Sequence, residues 1–267
     1  MPDQTKYTTK LSNARVLIIG GTSGLGYGLA EALLESNATI ALASSTPSRL
    51  SSAKASLLAS YPSKASNIST FTVDLSQPAT LDAQLSSLFE SAVKEIGGDE
   101  GMLDHVVYTA GDALFMTSIE DLDIDKVIAA GSLRFFAPLM AAKYVQRYVR
   151  KDAASSYTIT SGAVGEKPNK NWSVVASYAG GQHAMIRNLA VDLKPVRVNG
   201  VAPGAVDTEM WKMGEEAKKK MFEGIGAGLL TGRVGRVEDV VESYLAVLKD
   251  GNMVGTMIRS DGGHTIV

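Results

Sequence analysis

The segment Ile19-Gly20-Gly21-Thr22-Ser23-Gly24-Leu25-Gly26 follows the apolar run Arg15-Val16-Leu17-Ile18-Ile19 and precedes the helical spacing Leu29, Ala30, Leu33, Leu34. Strand, tight turn and helix in that order bring bare backbone to a pyrophosphate, whose charge is stabilised by the free amides and the positive end of the helix dipole. Gly20, Thr22, Ser23, Gly24, Leu25 and Gly26 are accordingly candidate dinucleotide-binding residues. A glycine cluster alone is a weak signal, and an ordinary loop is the competing reading. Further groups bear on it. Ser44-Ser45-Thr46 stands about 20 residues beyond the turn, where an acid would bind the ribose hydroxyls of NAD. No acid is there. Small hydroxyls, with Arg49 one helical turn onward, leave room and hydrogen bonds for a 2′-phosphate and so favour NADP(H), although Ser and Thr also suit a helix cap. Asp74 offers an acceptor to an adenine amino group, or a cap to the helix beginning near Pro78, and Thr109-Ala110-Gly111 offers bare backbone to the adenosine ribose.

These residues need a scaffold that gathers them. Strand-like runs at 15–19, 39–43, 68–73, 105–108, 157–160, 196–201 and 256–259 alternate with helical patterns beyond the glycine turn near 47–60, 78–96, 121–150, 172–193 and 236–249. Regular β/α alternation, without repeats or a low-complexity linker, predicts an α/β fold: a single-domain, Rossmann-type doubly wound parallel sheet with helices on both faces, over 11–267. Ligands bind at the carboxyl ends of such strands, where the candidates lie. With 267 residues, 45% of them hydrophobic, and a formal charge of −2, the chain is long enough for one sizeable core and carries no basic excess for nucleic acid. Cysteine is absent, which excludes disulfides and thiolate chemistry, and His105, His183 and His264 show no metal-ligand spacing. The polar stretch Met1–Lys10 lacks an apolar leader core, and no apolar run approaches the ~20 residues of a membrane span. No membrane partner is expected, and a cytoplasmic location is.

Together these segments resemble the short-chain dehydrogenase/reductase family over nearly the whole chain, from about Leu11 to Gly263. The resemblance is carried by the glycine turn, Asp74-Leu75, Ala110-Gly111, Ser161, Arg197-Val198-Asn199, Pro203-Gly204-Ala205-Val206-Asp207-Thr208 and Asp261-Gly262-Gly263. It implies that Asp74, Leu75, Ala110 and Gly111 belong to the cofactor site. It also implies that the Pro-Gly segment covers the nicotinamide, making Pro203, Gly204, Val206 and Thr208 cofactor contacts. The family's chemistry then requires an Asn on the helix after the fourth strand, a Ser after the fifth, and a Tyr-x-x-x-Lys pair on the next helix. The Tyr protonates the carbonyl oxygen, and the Lys lowers its pKa and holds the ribose. Ser161 matches. Aligned with the pattern, Val174 stands at the Tyr position, Tyr178 at the Lys position and Gly131 at the Asn position. A second register makes Tyr178 itself the acid, with Gln182 four residues on; the interval from Ser161 is then too long, and Gln carries no charge. In both registers the ammonium is lost, so ordinary carbonyl reduction should be severely impaired.

Arg134, one turn after Gly131, and Trp172, at the end of the loop 165–172, remain near the pocket. A guanidinium binds a carbonyl or anionic ring edge by a charge-assisted fork, and an indole stacks on a flat or cationic ring. A solvated or interfacial Arg and a packing Trp are the competing readings. Within the family this pattern is similar to the bifunctional reductase/Diels-Alderases of fungal prenylated indole alkaloid pathways, of the malbrancheamide and paraherquamide type. That resemblance implies NADPH-dependent reduction of a cationic heterocycle followed by an intramolecular [4+2] cyclisation. Arg134 and Trp172 match pocket residues of that branch; its loop acid falls at Asn169 here, so either Glu166 substitutes or the acid's role is weakened. The substitutions are chemically coherent, because hydride transfer to a ketone leaves an alkoxide needing a proton, whereas transfer to an iminium leaves a neutral amine. Arg134, Ser161, Asn169, Trp172 and Tyr178 are the candidate catalytic residues, and no metal is expected. The expected partners are a small-molecule substrate, cationic or imine-containing, and further copies of the chain in a homodimer or homotetramer through helices 121–150 and 172–193. An NADP(H)-binding pseudoenzyme or sensor, and a degraded carbonyl reductase using Tyr178, are the alternatives.

Overall fold

Val16–Ile19, Ile40–Ala43 and Val106–Tyr108 are buried along their whole lengths, as strands covered by helices on both faces must be. The computed structural model describes residues 3–267; Met1 and Pro2, at the head of the polar N-terminal stretch, lie outside the described residues. Seven strands, β1 (Arg15–Ile19), β2 (Thr39–Ser44), β3 (Ile68–Thr72), β4 (His105–Tyr108), β5 (Ser156–Thr160), β6 (Arg197–Pro203) and β7 (Met257–Ser260), form one parallel sheet in the order β3-β2-β1-β4-β5-β6-β7. The chain runs outward from β1 to β3 and then returns to lay β4 against the other side of β1. The crevice between the carboxyl ends of β1 and β4 is therefore the switch point at which such sheets bind ligands.

Helices α1 (Gly24–Glu35), α2 (Pro47–Ser60) and α8 (Val237–Lys249) bury Leu29, Leu33, Leu50, Leu57, Val240 and Tyr244 on one face. On the other face α3 (Pro78–Ile96), α5 (Ala137–Tyr148) and α6 (Ser173–Asp192) bury Leu85, Phe89, Ala141, Val145, Ile186 and Leu189. The expected long helix 121–150 is not continuous. Asp123 accepts from the Lys126 amide at 3.0 Å to start α4 (Ile124–Gly131), a π-turn occupies Ser132–Phe136, and α5 follows. The wider turn is pinned by side chains: Ser132 and Tyr108 hydroxyls donate to the Ile128 and Leu133 carbonyls, and the Gln182 amide to that of Arg134. A helix that the sequence pattern does not announce, α7 (Glu215–Ala227), lies between β6 and α8. It buries only Gly226 and so has no apolar period to read.

Candidate active site

At the switch point the backbone leaves no room for side chains. Gly20 has φ +98°, and a Cβ on it would lie 2.5 Å from the Ala110 nitrogen; on Gly26 it would lie 2.3 Å from the Gly20 carbonyl oxygen. The Thr109 hydroxyl holds the two turns together through the Ile19 and Gly20 carbonyls, at 3.2 and 3.1 Å. Ser23 occupies the N-cap of α1 without a side-chain capping bond, which leaves first-turn amides unspent. One is taken by an unexpected group: the Gly24 N–H donates to the Glu209 carboxylate at 3.1 Å. Beside it Thr208 is buried, and its hydroxyl has no partner. At the end of β2 the Thr22 hydroxyl donates to Ser44 at 3.3 Å, while Ser45 and Arg49 are exposed. Thr46 is the N-cap residue of α2, yet its side chain makes no capping bond, so the helix does not consume the hydroxyl. An amide-lined turn, an orphaned buried hydroxyl and free hydroxyls at a second helix start fit a phosphorylated dinucleotide.

Several of the expected cofactor contacts have their side chains engaged elsewhere. Leu75 is 3% exposed and packs in the core, so its side chain is no cofactor contact. Asp74 accepts from the Ser76 amide and hydroxyl at 2.9 and 2.7 Å, bonds that hold its carboxyl below the ordinary aspartate range. It closes a turn ahead of α3, whose N-cap is Gln77, and does not cap the helix itself. Val206 is also a core residue, and its carbonyl accepts from the Trp211 indole at 2.8 Å. Ala110 and Gly111 present backbone at the crevice, Pro203 ends β6, and Gly204 packs so tightly that a Cβ would lie 2.9 Å from the Asp261 Cα.

On the substrate side, the Tyr178 hydroxyl donates to the Val127 carbonyl of α4 at 2.9 Å, and its ring packs on Phe135 and Phe136 at centroid distances of 5.3 and 6.0 Å. A Cβ on Gly131 would lie 2.5 Å from the Tyr178 ring. Burial pushes the Tyr178 hydroxyl above the ordinary tyrosine value. Val174 is buried, and Ser161 donates to the Ala179 carbonyl at 3.2 Å. Arg134 pairs through Nε with Asp112 Oδ1 at 2.9 Å, donates through Nη2 to the Asp112 carbonyl, and lies 3.9 Å from the Met210 sulfur. Its Nη1 packs against Gly111, where a Cβ would lie 3.0 Å away. Gly131 and Arg134, placed on one face by helical spacing, thus address different partners across the π-turn. The loop carrying exposed Asn169 and half-buried Trp172 joins the loop after β4 through the Thr117 amide and the Asn171 carbonyl at 3.0 Å. Glu166 is not free to act there: Arg259 binds one oxygen at 3.0 Å, and His183 stands 3.9 Å from the other. Among the described residues no group of His, Cys, Asp or Glu is arranged to hold a metal ion, and no helix is long and apolar enough to cross a membrane.

Residues 7–267 match the SDR-like Rossmann domain. The chain belongs to the short-chain dehydrogenase/reductase family. It is 40% identical over 261 residues to the short-chain dehydrogenase/reductase fsr5 of Gibberella fujikuroi, covering 97% of each chain. It is 35% identical over 257 residues to malC of Malbranchea aurantiaca, covering 95% of each. The solved structure of MalC, described as a reductase/Diels-Alderase, superposes with a TM-score of 0.90 at 33% identity, covering 98% of this chain and 100% of that one. A small-chain dehydrogenase solved in complex with NADPH gives 0.76 at 25% identity, covering 96% and 100%.

As a short-chain dehydrogenase/reductase the chain departs from the family pattern through one connected set of contacts. The aromatic ring of Tyr178 fills the space that any side chain at 131 would need, and its hydroxyl is engaged by backbone. Gln182, buried, spends its amide on the Arg134 and Thr160 carbonyls at 2.7 and 3.4 Å. No lysine occurs on α6. Sequence reasoning missed Asp112 and Glu209, single acids whose partners lie 22 and 185 residues away. The local signal for each is its place one residue beyond a motif, Asp112 after Ala110-Gly111 and Glu209 after Pro203-Gly204-Ala205-Val206-Asp207-Thr208.

Proposed function

We propose that this protein is an NADPH-dependent reductase of a cyclic imine or iminium, and that it holds the reduced product for an intramolecular [4+2] cycloaddition. The observation that carries the reading is the Tyr178 hydroxyl, donated to a backbone carbonyl on a helix without lysine, so that no Tyr-Lys pair is present to protonate an alkoxide. NADPH, when bound, supplies a hydride and is left as NADP⁺. An iminium carbon that takes the hydride sends its C=N π pair to nitrogen, and a neutral amine results with no proton required. Gly20, Thr22, Ser23, Gly24, Leu25 and Gly26 would cradle the pyrophosphate. Ser44, Ser45 and Thr46 would receive the 2′-phosphate, and the backbone at 110–111 and 203–208, with the orphaned Thr208 hydroxyl, the remainder. The solved NADPH complex and the MalC reductase/Diels-Alderase support the cofactor and the paired chemistry.

In this reading the free Nη1 of Arg134 orients a substrate carbonyl, Trp172 stacks on its flat ring, and Ser161 and Asn169 border the pocket. Fixing one reactive conformer suffices for the cyclisation, since orientation alone lowers barriers by several kcal/mol. Exposed Ile124, Ile128, Phe136 and Leu139 on α4, the π-turn and α5 support a homodimer or homotetramer through that surface. The test is NADPH consumption against a panel of ketones and a panel of cyclic iminium salts. Turnover of the iminium salts alone is expected. Turnover of the ketones would return Tyr178 to an acid's role, and tight NADPH binding with turnover of neither would mark a sensor.

A further inference from the structure

We propose that Asp112 is the carboxylate that selects a cationic substrate; the inference rests on the reductase reading above. A pocket that binds an iminium needs a counter-charge, and the loop after β5 supplies none: Asn169 is an amide, and Glu166 is bound to Arg259 and faces His183. Arg134 by itself would worsen matters, because a lone guanidinium repels a bound cation strongly at short range in a low dielectric. Asp112 cancels that charge. It follows Gly111 directly, so the motif that brings backbone to the crevice also delivers this carboxylate to its edge. Arg134 holds it twice, by Nε on Oδ1 and by Nη2 on the backbone carbonyl, which fixes both the side chain and the strand exit that carries it.

The remaining oxygen, Oδ2, has no partner among the described residues, and the Asp112 side chain is 47% exposed against 26% for Arg134. The pair thus presents a neutralised guanidinium behind an accessible carboxylate oxygen. That oxygen supplies the acceptor and the negative charge that an iminium, or the N–H of its reduced amine, would meet. Gly111 is part of the device: a Cβ there would lie 3.0 to 3.1 Å from three guanidinium atoms and displace the clamp.

The experiment uses the full chain saturated with NADP⁺ and compares, by calorimetry, N-methylisoquinolinium with isoquinoline, a permanent cation and its neutral demethylated parent at pH 7.5. Turnover of N-methyl-3,4-dihydroisoquinolinium with NADPH is measured in parallel. The parent should prefer the cation at least tenfold. Asp112→Asn should erase most of that preference and lower kcat/KM at least thirtyfold, mainly through KM, with NADPH affinity within threefold of the parent. Asp112→Glu should recover part of both, and Asp112→Ser takes the place of the Asn variant if the latter melts early. Arg134→Met separates charge selection from simple clamping: it should keep the cation preference that Asp112→Asn loses. Equal losses in the two variants, or an Asp112→Asn protein that still prefers the cation, would overturn the assignment and leave the reductase reading standing. A parent that neither binds nor reduces the cations would remove both.

Discussion

Replacing Tyr178 with Phe removes one oxygen and nothing else. The ring keeps its contacts with Phe135 and Phe136, at 5.3 and 6.0 Å, and still fills the space beside Gly131. What is lost is the 2.9 Å bond to the Val127 carbonyl, which stands one turn ahead of the π-turn. A hydrogen bond of this kind contributes about 0.5–1.5 kcal/mol net, and a change of 1 kcal/mol moves Tm by roughly 2–4 °C in a chain of this size class. The variant should therefore melt a few degrees lower, while hydride transfer to an iminium, followed through NADPH absorbance, stays within about tenfold of the parent because no proton passes through the hydroxyl. A general acid contributes about 10²–10⁴ in rate. A loss of about a thousandfold with an unchanged Tm would refute the reasoning and make Tyr178 the proton donor.

Gly131→Ala sets a methyl 2.5 Å from the same ring and should destabilise by about 1–3 kcal/mol in chemical denaturation; a smaller cost would show that α4 and α6 yield easily. Glu209→Gln removes a full charge competing with pyrophosphate for the Gly24 amide, so NADPH should bind about two- to fivefold tighter, the range of a charge at a helix start. Unchanged or weaker calorimetric affinity would show that Glu209 does not compete. NADPH should bind at least about tenfold tighter than NADH, roughly 1.4 kcal/mol, and Ser45→Asp should abolish the difference; equal affinities in the parent would reject the 2′-phosphate site. Burial, with the nearby Arg197 guanidinium, pulls His105 from 6.5 down to about 3, so below pH 6.5 the unfolded chain binds a proton that the folded chain refuses. Stability should fall as pH drops from 6.5 toward 3, with a slope from this residue approaching about 1.4 kcal/mol per pH unit, and His105→Gln should flatten that limb of a urea-midpoint profile. An equal slope in both proteins would assign the effect elsewhere.

The parts of this molecule legible in its sequence are those whose cause is local. Strands buried on both faces must be continuous apolar runs, so the strands from β1 to β7 could be placed to within a residue or two, and the glycine turn announces itself because no other residue tolerates the approach of Ala110 to Gly20. The break in the helix at 121–150 could not be read, because a π-turn is stabilised by donors from elsewhere in the chain, Tyr108 and Gln182 among them, and barely disturbs the apolar pattern. Leu75 shows a different limit: a motif position names a place on the backbone, while the side chain there packs in the core. Glu209 and Asp112 each stand one residue beyond a motif, but nothing in that position names Gly24 or Arg134, the partners each meets only after folding.

The same contrast explains why this site departs from its family at several positions together. Tyr178 requires that residue 131 have no side chain, because a Cβ there would overlap its ring, and its hydroxyl needs the Val127 carbonyl one turn from the π-turn. Gln182 in turn holds the Arg134 carbonyl within that π-turn, and Arg134 holds Asp112. Gly131, the π-turn, Tyr178, Gln182, Arg134 and Asp112 are thus successive links of one contact chain running from α6 to the end of β4. Proton delivery to an alkoxide and charge compensation of a cation make opposite demands on a pocket, the first a lysine beside a tyrosine hydroxyl, the second a carboxylate with no uncompensated cation near it. The tyrosine of α6 is spent on packing and its neighbouring amide on the backbone, which leaves that helix without the first arrangement, and the carboxylate at the other end of this contact chain is Asp112, on the loop after β4.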